Sequence, residues 1–240
     1  MHLWIERIQM KTQKEIFRIA EGDCWFDRNR KSSSPSEDTE DKIISLINFN
    51  ELFPKRVLEI GCSNGQRLEL IRNAFKAECY GIDPSSKAIE DGKNRYPKIV
   101  LQVGTADELP FDLGSFDMVI FGFCLYLCDR QDLFKIAYEA DRCLRNEGSL
   151  IIMDFYPPFA YRNRYSHYEG IFSYKMDYSQ MFAWNPAYAE VSKIVFTHSG
   201  FTLRDVPDEK VAVVVLRKNH RQAYPIEPFD ENTTAWSSAR

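Results

Sequence analysis

The 240-residue sequence predicts an α/β fold, a doubly wound sheet of seven strands whose last strand runs antiparallel. Three observations predict it. An apolar run, Val57 to Ile60, breaks at Gly61 and Gly65, and an amphipathic pattern follows from Gln66 to Phe75. That order reads as a buried strand, a tight turn and a helix. Short apolar runs then alternate with helical patterns as far as Phe155, which implies parallel strands joined by crossover helices. Near the end, Phe201–Val206 and Lys210–Arg217 are separated only by Pro207, Asp208 and Glu209. Strands joined that closely must be antiparallel.

Composition narrows the classes. Hydrophobic residues make up 44% and charged residues 28%, an ordinary balance for a chain that buries a core. A net charge of −4 carries no electrostatic footprint for nucleic acid. No apolar run reaches the roughly 20 residues of a membrane span. Met1 to Lys11 has charges within it and no apolar core, so it does not read as a signal peptide. The 6 cysteines include no Cys-x-x-Cys pair, and Cys124 with Cys128 is two thiols short of a zinc site. Reduced thiols and a cytoplasmic location are expected.

Residues 1–23 read as a charged helix with a weak stripe of Ile16, Phe17 and Ile19. Trp25 and Phe26 follow in a polar stretch. Either they staple this segment to the core or they cover a ligand. Lys31 to Ser36 is a polar linker, and Ser36 is the expected N-cap of a helix ending near Phe49. The first strand is Arg56–Ile60. Gly61 and Gly65 let the backbone reverse and let a ligand approach without a Cβ in the way. The helix after them aims its unpaired N–H groups into the turn. Glu59, a carboxylate in a buried strand, requires a donor or a cation. The dinucleotide spacing Gly-x-Gly-x-x-Gly is absent, since Cys62, Ser63 and Asn64 fill the middle. That argues against a nicotinamide-dependent oxidoreductase.

The second strand, Glu78–Ile82, ends at Asp83. An acid there lies beside a bound ribose in a doubly wound sheet, where one carboxylate accepts from both hydroxyls. The competing role is a helix cap for Ser85–Arg95, with Pro84 at the helix start. Lys98–Val103 is the third strand, Ser115–Phe121 the fourth, Gln131–Leu144 a helix and Ser149–Phe155 the fifth strand. Ligands in such sheets lie beyond the carboxyl ends of the strands, which places Phe121 to Phe123 near the ligand. From Tyr156 to Trp184 the chain carries ten aromatic residues in 29 positions. This aromatic-rich insertion, 156–186, reads as a substrate-shaping pocket, a small core of its own or a dimer interface, so a homodimer stays open. His167 is its candidate base, because imidazole titrates near neutrality. Ala187–Ser199 reads as the last helix, capped by Gly200.

Taken together, Glu59-x-Gly61-x-x-x-Gly65, Asp83 with Pro84, and Gly104 to Phe111 resemble, in order and spacing, the motifs of class I S-adenosylmethionine (SAM) dependent methyltransferases. The resemblance spans about Arg56 to Phe155 and implies a Rossmann-like fold. It implies that the turn at Gly61, Cys62, Ser63 and Gly65 wraps the methionine part of SAM, with Glu59 anchoring the loop and the amino end. It implies that Thr105, Ala106 and Asp107 frame adenine, with the N6 amine met either by Asp107 or by Thr105 and the Ala106 backbone. The family often has glycine where this chain has Ser63, and aspartate where it has Thr105. By the same resemblance the amino-terminal segment is a lid, with Trp25 or Phe26 facing the sulfonium and Arg28 on the cofactor carboxylate. The domain expectation is a lid at 1–36, a methyltransferase domain at 37–220 and a polar tail at 221–240. The implied activity is methyl transfer from SAM, leaving S-adenosylhomocysteine, to an oxygen or nitrogen of a small-molecule acceptor such as a natural product or sugar precursor. The alternative is a catalytically silent SAM-fold scaffold or partner-binding protein. It predicts loss of Glu59, Gly61, Gly65 or Asp83, and all four are present.

Overall fold

The structure is a computed structural model that describes residues 11–30, 41–198 and 206–226. The strands are β1 Arg56–Ile60, β2 Glu78–Asp83, β3 Val100–Val103, β4 Phe116–Gly122, β5 Leu144–Phe155, β6 Tyr161–Arg164, β7 Phe172–Lys175, β8 Tyr188–Thr197 and β9 Lys210–Lys218. The helices are α1 Gln13–Ile16, α2 Gly22–Asn29, α3 Lys42–Phe49, α4 Gln66–Phe75, α5 Ser86–Arg95, α6 Leu133–Cys143, α7 Gln180–Ala183 and α8 His220–Ala223. A π-helical turn, Phe17–Glu21, joins α1 to α2.

Seven strands form one sheet in the order β3-β2-β1-β4-β5-β9-β8. The first five pair in parallel, and β9 runs antiparallel to both β5 and β8. Both faces are covered, and the alternation of side chains divides the core accordingly. Leu58, Ile60, Val119, Phe121, Leu150 and Ile152 pack on one face with Ile136, Ala140 and Cys143 of α6 and Phe182 of α7. Val57, Met118, Ile120 and Ile151 pack on the other with Ile43, Leu46 and Ile47 of α3, Leu68 and Ile71 of α4 and Ile89 of α5. Among the described residues no helix is long and apolar enough to cross a membrane.

The predicted helix at Ala187–Ser199 is β8. Its alternation is blurred because β8 pairs only with β9 and leaves much of its length partly exposed, so the periodicity was weak. The antiparallel pair is therefore β8 with β9, and of the strand expected at Phe201–Val206 all but Val206 lies outside the described residues. The helix expected from Ser36 covers Lys42–Phe49, where Asp41 accepts from the amides of Ile43 and Ile44. Ser36 lies outside the described residues, as do Met1 to Met10 of the first predicted helix and Gly200. Trp25 and Phe26 sit within α2.

The insertion contributes a hairpin, β6 with β7, and the short helix α7. Tyr178 and Phe182 are buried in the main core beside Phe121 and Tyr188. The hairpin braces the amino-terminal helices. The buried Gln13 side chain donates to the carbonyls of Leu127 (2.9 Å) and Phe172 (3.1 Å) and accepts from the Phe172 amide (2.9 Å).

Candidate active site

Two adjoining cavities open along the carboxyl ends of the parallel strands. The first, of about 860 Å³, takes its walls from Ile82, Asp83 and Pro84, Gly104 to Asp107, and Cys124, Leu127 and Cys128. The second takes its walls from Glu59, Cys62 to Asn64, Gln66 and Arg67 on one side, and Met153, Phe196, His198 and Val211 on the other. Trp25, Gly61, Ser63, Gly122 and Phe123 border both. A ligand lying across the two cavities must pass these five residues.

The turn after β1 owes its shape to left-handed backbone at Gly61 (φ 75°), Ser63 (φ 50°) and Gly65 (φ 77°). Gly61 has a second reason to lack a side chain, because a Cβ there would lie 2.5 Å from Cys124 Cβ. Gly65 borders neither cavity; it sets the start of α4. The Ser63 amide donates to Asp83 Oδ2 (2.8 Å) and the Ser85 amide to Oδ1 (2.9 Å). Burial without a facing cation pushes the Asp83 carboxyl up to about 6; the two amides oppose the shift and Asp23 adds to it. The start of α5 is capped by Ser85 itself, and by Asp23 reaching across from α2 to the Ser85 hydroxyl (2.7 Å) and the Lys87 amide (3.0 Å). Capping is thus supplied elsewhere, and Asp83 faces the first cavity.

Glu59 is 1% exposed. Arg67 pairs with its Oε1, while Oε2 has no hydrogen-bond partner among the described residues. Burial raises the Glu59 carboxyl and Arg67 opposes that shift. Arg67 also donates to Asp41 (2.8 Å), which ties the start of α3 to the glycine turn. An unpartnered buried carboxylate oxygen beside a cavity is costly unless a ligand donor meets it.

Asp107 borders the first cavity, yet its Oδ2 accepts from Lys14 at 2.6 Å, with Lys135 at 3.5 Å. Burial is the largest single influence and opposes ionisation there, but the Lys14 and Thr105 hydrogen bonds and the Lys14 charge together outweigh it and hold the carboxyl below its ordinary range. Thr105, Ala106 and Pro84 border the same cavity, and Cys62 the second.

Beyond β4 the backbone turns sharply. Phe123 adopts φ 66°, an outlier for a bulky side chain, with its amide on the Met153 carbonyl (3.0 Å). Buried Asp154 at the end of β5 holds the next residues by accepting from the amides of Leu125 (2.9 Å) and Tyr126 (3.3 Å). Burial pushes its carboxyl up to about 7 against those bonds. The result is a cluster of rings. Phe123 lies 5.1 Å from Tyr126, 4.9 Å from Phe155 and 5.5 Å from His198. Trp25 hydrogen-bonds the Tyr126 hydroxyl from the lid side.

Besides Gly65, three expected site residues lie elsewhere. Arg28 borders neither cavity; it pairs with buried Glu21 and donates to the Tyr165 hydroxyl (3.1 Å), because α2 turns that face toward the hairpin. Phe121 is fully buried against Phe182, since strand alternation sends it into the core and leaves Gly122 and Phe123 at the cavities. His167 is exposed beyond the end of β6, edge-on to Tyr165, and borders neither cavity. No ring of the insertion borders either of these two cavities. The residues missed are Lys14, Arg67 and His198. Arg67 was legible as the cation eight positions after Glu59, one turn into α4. His198 was hidden by the misread helix, and Lys14 had no local signal.

A family model described as a methyltransferase domain matches residues 58–152. The demethylmenaquinone methyltransferase of Thermotoga maritima is 34% identical over 120 residues, 49% of this chain and 50% of the relative. The ubiquinone/menaquinone biosynthesis C-methyltransferase of Citrifermentans bemidjiense is 32% identical over 111 residues, 43% of this chain and 46% of the relative. The chain thus spans about half the length of these curated relatives. Among solved structures, the 1,6-didemethyltoxoflavin-N1-methyltransferase of Burkholderia thailandensis superposes with a TM-score of 0.66 at 13% identity. It covers 85% of this chain and 88% of its own, a likeness of fold.

Proposed function

We propose that this chain, whose residues 58–152 belong to the class I SAM-dependent methyltransferases, binds SAM across the two cavities and methylates a small-molecule acceptor. The observation that carries this reading is a pair of carboxylates with spare acceptor capacity around one glycine turn, Asp83 meeting only the Ser63 and Ser85 amides and Glu59 only Arg67 among the described residues. Asp83 faces the first cavity without a cation, and Glu59 Oε2 lacks a partner beside the second. A ligand with a ribose diol at one end and an ammonium at the other supplies donors to both, so the residues present fit the group. Asp83 would hold the ribose, Glu59 the ammonium, Thr105 and Ala106 the adenine side, and Trp25 with Phe123 the junction. SAM supplies a methyl group already activated on a sulfonium. The chain's own task is to align the acceptor with that methyl and keep water out, which is worth about 7–11 kcal/mol in favourable cases.

An oxygen or nitrogen acceptor is the first reading. A carbon acceptor is the second, favoured by the C-methyltransferase name of the Citrifermentans bemidjiense relative together with the rings of Phe123, Tyr126 and Phe155. Six free cysteines accord with a reducing, cytoplasmic setting. Calorimetry with SAM, S-adenosylhomocysteine and NAD tests the cofactor. Micromolar binding of the first two, none of NAD, and a loss of about 100-fold in Asp83→Ala are expected, since bonds to a charged group are worth about 1.5–3 kcal/mol each. Folded protein that binds neither SAM species would refute the reading.

A further inference from the structure

The second cavity is two-sided, and only one side is explained by a cofactor. Glu59, Cys62 to Asn64, Gln66 and Arg67 surround the glycine turn. The far side, Met153, Phe196 and Val211, comes from β5, β8 and β9 and is apolar apart from one group, His198. That imidazole lies nearly parallel to Phe155, with an interplanar angle of 21° and ring centroids 6.1 Å apart, and 5.5 Å from the Phe123 ring. Its amide donates to the Glu209 carbonyl (2.8 Å), which fixes the end of β8 against the start of β9. Phe123, in turn, stands at the junction of the cavities in left-handed backbone held through Met153 and Asp154. A strained aromatic residue at a junction, backed by a stacked imidazole, is an arrangement for presenting a flat ring.

We infer that this far side is the acceptor subsite, that it takes a flat hydroxylated aromatic molecule, and that His198 is the base that receives the hydroxyl proton. The inference rests on the cofactor reading above. In the step, the O–H bond breaks, its electron pair stays on the oxygen, and a new N–H bond forms on a ring nitrogen of His198. The imidazolium later returns the proton to water. Imidazole suits the step because its unprotonated ring nitrogen carries a lone pair that can accept the proton. The charged groups around it are Asp41, Glu59 and Arg67 across the cavity, Glu209 and Lys210 at the start of β9, and Lys175 over the Phe155 ring (3.8 Å). Lys175 is itself paired with Asp208 (2.9 Å). None of the apolar wall residues offers a second base.

The test uses the full chain saturated with S-adenosylhomocysteine and 2-naphthol as the probe. Absorbance of the naphtholate band reports proton loss from the bound probe, and fluorescence reports binding. Wild type is expected to bind 2-naphthol and to show the naphtholate band at a pH where free probe does not. His198→Gln, which keeps a polar side chain without the base, should bind within about threefold and lose the band. Phe196→Ala should weaken probe binding about 5-fold with unchanged S-adenosylhomocysteine affinity, and His167→Ala should behave as wild type. An unchanged band in His198→Gln, displacement of S-adenosylhomocysteine by the probe, or no probe binding to loaded protein would each overturn the inference and leave the cofactor reading standing. Failure to bind S-adenosylhomocysteine at all would overturn both.

Discussion

The region from Arg56 to Phe155 and the segments that flank it solve different problems. In the central region, function is written in short-range order. Gly61, Ser63 and Gly65 shape one turn, and Asp83 receives the Ser63 amide at 2.8 Å. In the flanking segments, function depends on contacts between residues far apart in sequence. Gln13 reaches Leu127 and Phe172, Asp129 accepts from the amides of Gln13 (3.1 Å) and Lys14 (2.8 Å), and Asp23 caps α5. The lesson is that the glycine turn is a local device, while the amino-terminal helices beside the cavities are held by a hairpin more than a hundred residues away.

The comparison breaks most sharply at Gly61. Gly61→Ala needs an unfavourable backbone and meets Cys124, so S-adenosylhomocysteine affinity should fall at least 100-fold while far-UV dichroism is retained. Affinity within threefold of wild type would mean the turn does not carry the site. Gln13→Ala removes three long-range hydrogen bonds from one buried side chain. An affinity loss of about tenfold is expected, together with faster proteolysis near residue 30, at about 1 kcal/mol per neutral bond partly regained from water. No change in either measurement would disconnect the hairpin from the lid.

A pH series sharpens the same contrast. The Asp83 carboxyl is raised to about 6 by burial, so in the free protein it is protonated below that pH. Ribose hydroxyls favour the ionised form, and binding must then expel a proton. Affinity for S-adenosylhomocysteine should therefore rise as pH increases to about 6 and level off above it, by at most tenfold per unit. A flat profile from pH 5 to 8 would remove Asp83 from the ribose. For stability the sign is opposite. The raised carboxyl contributes most below its unfolded value near 3.9, and that contribution is lost as pH rises through about 6.

The smallest expected effect is at Ser63. Its left-handed φ of 50° is a conformation that glycine adopts at less cost. Ser63→Gly relieves that backbone and is expected to gain about 1 kcal/mol in thermal unfolding, with cofactor affinity unchanged within twofold. Loss of stability would indicate that the Ser63 side chain supports the turn.

The sequence by itself determined the order of the parallel strands through Phe155, the turn at Gly61 to Gly65 and the position of Asp83. Each of these depends on neighbours within a few residues or on one βαβ unit, where hydrophobic period and glycine position carry the information. Tertiary structure decided the rest. It turned 188–197 into a strand, because pairing with β9 outweighed a helical reading of a partly exposed segment. It sent Arg28 to Glu21, Phe121 into the core and His167 to an exposed hairpin, and it brought Lys14 and His198 to the cavities. Those placements follow from which faces of distant elements meet, and no local pattern records that meeting.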